Sequence, residues 1–126
     1  MKTLTFHCKR FESKDIDSKN APVKTKDSVV VLITFEVGDK SRTIKRLTKE
    51  IIKMSLDFNE KFIVIFPFSH LSSNLLNPEQ SLSLLDNLLR RLKETNLEVI
   101  YATFGTDKEV LLNIIGHPDN ARFRSF

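Results

Sequence analysis

"SVVVLITFEV", Ser28 to Val37, is the stretch that sets the fold class. It is a run of β-branched and aromatic residues with no polar alternation, the composition of a strand buried on both faces. A strand of that kind needs strands beside it and helices over it. Gly38-Asp39 closes the run and opens a helix, in which Ile44, Leu47, Ile51, Met54 and Phe58 recur every three or four positions. The other face of that helix carries Arg42, Lys45, Arg46, Lys49 and Lys53, an arrangement that solvation alone explains more often than nucleic-acid contact.

Working outward, "KFIVIF" (Lys61–Phe66) is another short buried strand, stopped by Pro67. After a polar loop, Asn77-Pro78-Glu79-Gln80 reads as a helix start: an N-cap, a proline at the first helical position and a glutamine at the third. Leu82, Leu85, Leu89 and Leu92 are predicted as its inward stripe, Arg90, Arg91 and Lys93 suit its last turn, and Asn96 ends it. "LEVIYATF" (Leu97–Phe104) is a strand, Gly105–Asp107 a turn, and "KEVLLNII" (Lys108–Ile115) a strand closed by Gly116-His117-Pro118. Upstream, Met1–Phe11 is a strand in which Leu4, Phe6 and Cys8 alternate with Thr3, Thr5 and His7. "FESKDIDSKNAPVKTKDS" (Phe11–Ser28), interrupted by Pro22, reads as a second strand and a loop. The order β, β, β, α, β, α, β, β predicts a single α/β domain with two main helices on a mixed sheet.

The bulk composition narrows the class. With 126 residues, 40% of them hydrophobic and 29% charged, the chain can bury a core and is not disordered. Twenty basic against 16 acidic side chains give +4, only a weak preference for polyanions. No apolar run is long enough to cross a bilayer, and His7, Lys9 and Arg10 interrupt the amino terminus before a signal sequence can form. The lone Cys8 has no internal disulfide partner and fits a reducing cytoplasm. No membrane partner is expected.

Stock catalytic motifs are missing. There is no phosphate-binding loop or dinucleotide fingerprint, no cysteine pair and no zinc-protease histidine pair. Cys8 beside Lys9 and Arg10 has two readings, an activated thiol or a small core residue on the face of Leu4 and Phe6, and the second is favoured. Ser69, Ser72 and Ser73 around His70 pose a serine nucleophile against plain turn and cap chemistry, without the glycines of a nucleophile elbow. In sheets of this order, ligands sit at the carboxyl ends of strands. The Pro67 loop and Phe104–Lys108 lie at two such ends, so one polar pocket between them is expected, with Lys108 of interest only if it converges on that loop.

The residues then carry a resemblance. "PFSHLSSNL", followed by "ATFGTDKEVLLNIIGHP", resembles the amino-terminal editing domain of archaeal threonyl-tRNA synthetases, whose fold is similar to that of D-aminoacyl-tRNA deacylases. "LTFHCKRFE" and "VVVLITFEVGD" match in the same order, so the resemblance spans residues 1–126 as one editing domain. It implies a proofreading hydrolase that deacylates L-seryl-tRNA(Thr), with a positioned water and help from the tRNA 2′-hydroxyl. Alternatives within the same fold are a non-catalytic tRNA-acceptor or synthetase-docking module, and a D-aminoacyl-tRNA deacylase. Lys108 and His70 are the implied catalytic side chains. Pro67, Phe68, Ser69, Phe104 and Asp107 are the implied substrate-binding ones. No metal or cofactor is implied. The implied partners are the aminoacylated 3′ end of tRNA(Thr), a synthetase catalytic subunit or domain, and a second copy in a homodimer. The chain departs from the family pattern at Ser69, where alanine is usual, at Thr106-Asp107, where Trp-Tyr is usual, and at Ala121, where an acid is usual.

Overall fold

The computed structural model describes residues 1–126. Its elements in order are β1 (Lys2–Asp15), β2 (Val23–Thr34), α1 (Ser41–Phe58), β3 (Phe62–Pro67), a single 3₁₀ turn (Ser69–Leu71), α2 (Pro78–Lys93), β4 (Glu98–Tyr101), β5 (Lys108–Ile114) and β6 (Ala121–Ser125). One mixed sheet runs β4-β3-β2-β1-β5, with β6 also on β1. The β2–β3 and β3–β4 pairs are parallel and every pair made by β1 is antiparallel. The double-faced run therefore occupies the middle of the sheet, as its composition requires. No helix is long and apolar enough to cross a membrane.

Both helices cover one face. Val29, Val31, Ile33 and Phe35 of β2 and its extension join Ile63 and Ile65 of β3 beneath Ile44, Leu47, Ile51, Met54 and Phe58 of α1. From α2 come Leu85, Leu88, Leu89 and Leu92, while the predicted Leu82 is 48% exposed. The stripe turns by one position because Asn77 caps the helix through Gln80 N–H and Ser81, itself buried, takes the first inward place.

The other face is covered by the sheet itself. Pairing of β1 with β2 is regular from Lys2↔Thr34 to Cys8↔Ser28, lapses at Lys9 and Asp27, and resumes at Arg10↔Lys26. At the same place the β1–β5 register slips by one residue, and Asp27 takes a left-handed backbone with φ of 47°. Aspartate tolerates that region better than most side chains. Two consequences follow. Side-chain parity flips, so that Phe11, Ser13 and Asp15 are buried although they would otherwise face away from Cys8. The outer half of the β1–β2 hairpin, with β5 attached, also leans back over the open face. The Phe11 ring meets the Phe66 ring edge-on at 5.8 Å, although their partners on β2 are Thr25 and Leu32, about 23 Å apart on a straight strand. Cys8, Phe11, Val30, Leu32, Val64, Phe66 and Ala102 form this second core.

Several expectations are corrected here. The two strands read before Ser28 are one 14-residue strand and the start of β2, since Phe11–Asp15 continues β1 and Val23 already belongs to β2. The strand read over Leu97–Phe104 ends at Tyr101, and the segment after His117 forms β6, which pairs with Lys2–Phe6. Helix α2 stops at Lys93 rather than Asn96.

Candidate active site

The hairpin bend builds the site. It carries Asp15 and the start of β5 toward the carboxyl ends of β2 and β3, where a cavity of about 530 Å³ opens. Pro67, Phe68, Ser69, His70, Phe104, Asp107 and Lys108 all line it. That volume lies within the ~300–1,000 Å³ of small-molecule sites. The remaining wall includes Ile33 and Thr34 from β2, Phe35 just beyond it, Ser81 from α2, and Thr106.

The Pro67 loop is fixed by backbone and hydroxyl bonds. Phe68 N–H donates to the Ile33 carbonyl at 2.8 Å, and the Thr34 hydroxyl donates to the Phe68 carbonyl. Leu76 N–H donates to the Phe35 carbonyl at 3.1 Å, and Val37 N–H to that of Asn74 at 3.1 Å. Beneath the loop, Ser72 Oγ donates to Glu36 Oε2 at 2.5 Å, and the same carboxylate takes Lys2 Nζ at 2.6 Å and the Met1 ammonium at 2.8 Å. Burial pushes the Glu36 carboxyl up, but bonds from Lys2, the Met1 ammonium and Ser72 outweigh it and hold it at about 2. Ser72 is thus structural: it bonds Glu36 and accepts from Asn74 N–H, and no serine is bonded to His70. His70 is exposed and stands edge-on to Phe68, with ring centres 4.9 Å apart. It has no carboxylate orienting it, so a nucleophile–histidine–acid relay is not assembled here.

Lys108 sits on the opposite wall with its side chain only 5% exposed. Its Nζ donates to Asp15 Oδ1 at 2.6 Å and also to the Thr106 hydroxyl, which donates in turn to the same Oδ1 at 3.0 Å. Asn20 Nδ2 holds the other carboxylate oxygen at 3.1 Å. The bond from Lys108 is the largest cause, followed by that from Asn20, of an Asp15 pKa held at about 2. Asp15 is therefore a carboxylate, and Lys108 is tied to it as an ammonium with one donor left over. The Asp107 carbonyl accepts from Ile16 N–H at 3.0 Å, which pins this turn to the end of β1.

Asp15 and Thr34 escaped sequence reasoning, which named Thr106 only as a departure from the family pattern. Asp15 lies 93 residues from Lys108 and is buried only because strand parity flips at the bend, which no local pattern announces. Two other segments lie elsewhere. Cys8 is buried and its thiol is pushed up to about 11 by desolvation, which makes it the core residue and not a nucleophile. His117 meets His7 at the carboxyl end of α1: His7 Nδ1 and His117 Nε2 are 2.9 Å apart, His7 Nε2 is 3.0 Å from Glu60 Oε2, and the His7 ring stacks on Phe58 at 4.7 Å. No three such side chains are arranged to hold a metal ion. Ala121 pairs with Phe6 and does not line the cavity.

Comparison with known proteins agrees with this fold. A protein of Staphylothermus marinus named threonine–tRNA ligase is 31% identical over 129 residues, covering 94% of this chain and 21% of that protein. One of Saccharolobus solfataricus named threonine–tRNA ligase editing subunit is 30% identical over 102 residues, covering 81% of this chain and 26% of its own length. The chain thus spans about a fifth to a quarter of these relatives. Among solved structures, the c-Myc DNA unwinding element binding protein superposes with a TM-score of 0.81 at 12% identity, covering 100% of this chain and 99% of that one. A probable eukaryotic D-amino acid tRNA deacylase superposes with 0.73 at 10%, covering 98% and 97%. These two likenesses show the fold, which is that of the D-aminoacyl-tRNA deacylases. The family model described as the archaea-specific editing domain of threonyl-tRNA synthetase matches residues 1–126, and the chain belongs to that family.

Proposed function

We propose that this domain hydrolyses L-seryl-tRNA(Thr). The observation that supports it best is the convergence of Lys108 and the Pro67–His70 segment on one cavity in a chain of the editing-domain family. Serine lacks one methyl of threonine, a difference worth only about 1–3 kcal/mol in a synthetic site, so a second hydrolytic site is needed to raise fidelity. The seryl ester is already activated, and the protein has mainly to place water, ester and terminal adenosine and to stabilise the oxyanion. The Ser69 N–H, the one backbone donor of Pro67–Ser69 not taken by Ile33 or lacking in proline, and the spare donor of Lys108 supply those contacts. His70 and Phe68 bound the adenosine side with Phe104, while Ser69 and Asp107 add polar wall. As the family resemblance implies, the tRNA 2′-hydroxyl assists the water, a role consistent with an unpaired His70 and a Ser72 committed to Glu36.

A second reading has its own support. Lys108 is engaged by Asp15 and Thr106, as it would be in a module that binds the tRNA acceptor end or a synthetase body without turnover. The domain also acts as a homodimer in this proposal: Val110, Leu111 and Phe123 are exposed on β5 and β6, at a sheet edge of the kind that pairs with another copy. The test is release of amino acid from seryl-, threonyl- and D-aminoacyl-tRNA by the wild type and a Lys108→Ala variant. Fast release of serine alone, lost in the variant, is expected. Release from the D-aminoacyl ester alone, or binding with no release from any ester, replaces this reading with one of its alternatives.

A further inference from the structure

The outward face of α1 carries a charge pattern that solvation does not require. Arg42, Lys45, Arg46, Lys49 and Lys53 are all exposed and fall on one stripe of the helix, directly opposite Ile44, Leu47, Ile51, Met54 and Phe58. The acids of α1 are Glu50 and Asp57, and both are turned aside: Glu50 pairs with Arg124 of β6 at 3.3 Å and Asp57 with Arg122 at 3.0 Å. None of the five stripe cations has an ion-pair partner, although Arg46 lies over the Phe126 ring at 5.6 Å. The other helix serves as an internal control. The exposed face of α2 mixes Glu79, Asp86, Arg90 and Lys93, with Asp86 and Arg90 paired at 3.7 Å, as an ordinary solvated face does.

The charge balance points the same way. Without these five residues the chain has 15 basic against 16 acidic side chains, so its entire positive excess resides on this one stripe. Five unneutralised cations within ~16 Å of helix repel one another, and only Arg46, over Phe126, has a stabilising partner within the domain. The start of the stripe lies near the cavity's end of the sheet: α1 follows the carboxyl end of β2, and Ser41 comes six residues after Phe35, which lines the cavity.

We infer that the α1 stripe docks the phosphate backbone of the substrate's tRNA acceptor stem, with Arg42 nearest the end of the strand that enters the cavity. The inference rests on the deacylase reading for the identity of the RNA. Phosphate contacts position a nucleic acid without reading its sequence, so the stripe sets affinity while the cavity sets chemistry.

The test is the double variant Lys45→Glu/Lys49→Glu in the whole chain, with thermal unfolding to verify the fold. Binding of deacylated tRNA(Thr) is expected to weaken at least tenfold, and its salt dependence to become shallower by about two released counter-ions. The KM for seryl-tRNA(Thr) rises with it while kcat is kept, and a minimal substrate, the 3′-seryl ester of adenosine, is cleaved at the wild-type rate. Unchanged tRNA affinity and salt slope overturn the inference. So does unchanged tRNA binding accompanied by lost association with the synthetase catalytic subunit, which would assign the stripe to that protein. If the wild type cleaves neither ester the deacylase reading fails, and the binding of deacylated tRNA(Thr) still decides the role of the stripe.

Discussion

Lys108 and Asp15 show how a site residue depends on one that sequence cannot pair with it. The carboxylate holds the ammonium at the cavity wall, and substituting it by the neutral isostere frees Lys108 to swing out. Asp15→Asn is expected to lower kcat for seryl-tRNA hydrolysis more than tenfold with little change in KM, measured under single-turnover conditions. The same pair makes stability depend on acid. Asp15 titrates near 2 in the folded protein against about 3.9 when unfolded, a depressed pKa, so its contribution is complete above about pH 4 and is lost as pH falls toward 2. An acid-unfolding series should find the wild type losing its advantage over Asp15→Asn across that window. A different residue-scale test concerns Thr5, whose hydroxyl is buried beneath the helices without a partner. Thr5→Val removes that unsatisfied group and should stabilise the fold by about 1 kcal/mol in urea unfolding.

Among the elements, the β1–β2 hairpin decides where everything else goes. Its bend turns on the left-handed Asp27, where glycine is tolerated and a β-branched residue is strained by about 1–2 kcal/mol. Asp27→Gly should leave the melting temperature within a degree or two, whereas Asp27→Val should lower it by several degrees and reduce hydrolysis by withdrawing Lys108 from the Pro67 loop. Helix α2 offers a simpler case. Leu88→Ala, at a fully buried position, should cost about 2–5 kcal/mol, and Leu82→Ala, on the exposed side, less than about 0.5 kcal/mol. Here periodicity identified the helix and its cap but chose one wrong position, because Leu82 and Leu88 are equally apolar and only the docking angle separates them.

At the scale of the molecule, the pieces legible in the sequence were those fixed by local physics. The double-faced β2 declared a central strand, α1 declared its stripe, and Asn77–Gln80 declared a capped helix start. The Pro67 loop and Lys108 were recognisable by motif and do line one cavity. What stayed hidden was non-local: the parity flip at Lys9 and Asp27, the burial of Asp15, the meeting of His7 with His117, and β6, whose "ARFRS" has too little apolar content to announce a strand without β1 beside it. Each depends on strand partners far along the chain.

The most direct test of the account is a crystal structure of the protein with a non-hydrolysable seryl-3′-aminoadenosine. The seryl group is predicted to sit between Pro67–Ser69 and Lys108, with Nζ within hydrogen-bond reach of the ester-mimicking carbonyl or its attacking water and still bonded to Asp15. An analogue bound outside this cavity, or one seated in it with Lys108 making no contact to ligand or water, would contradict it.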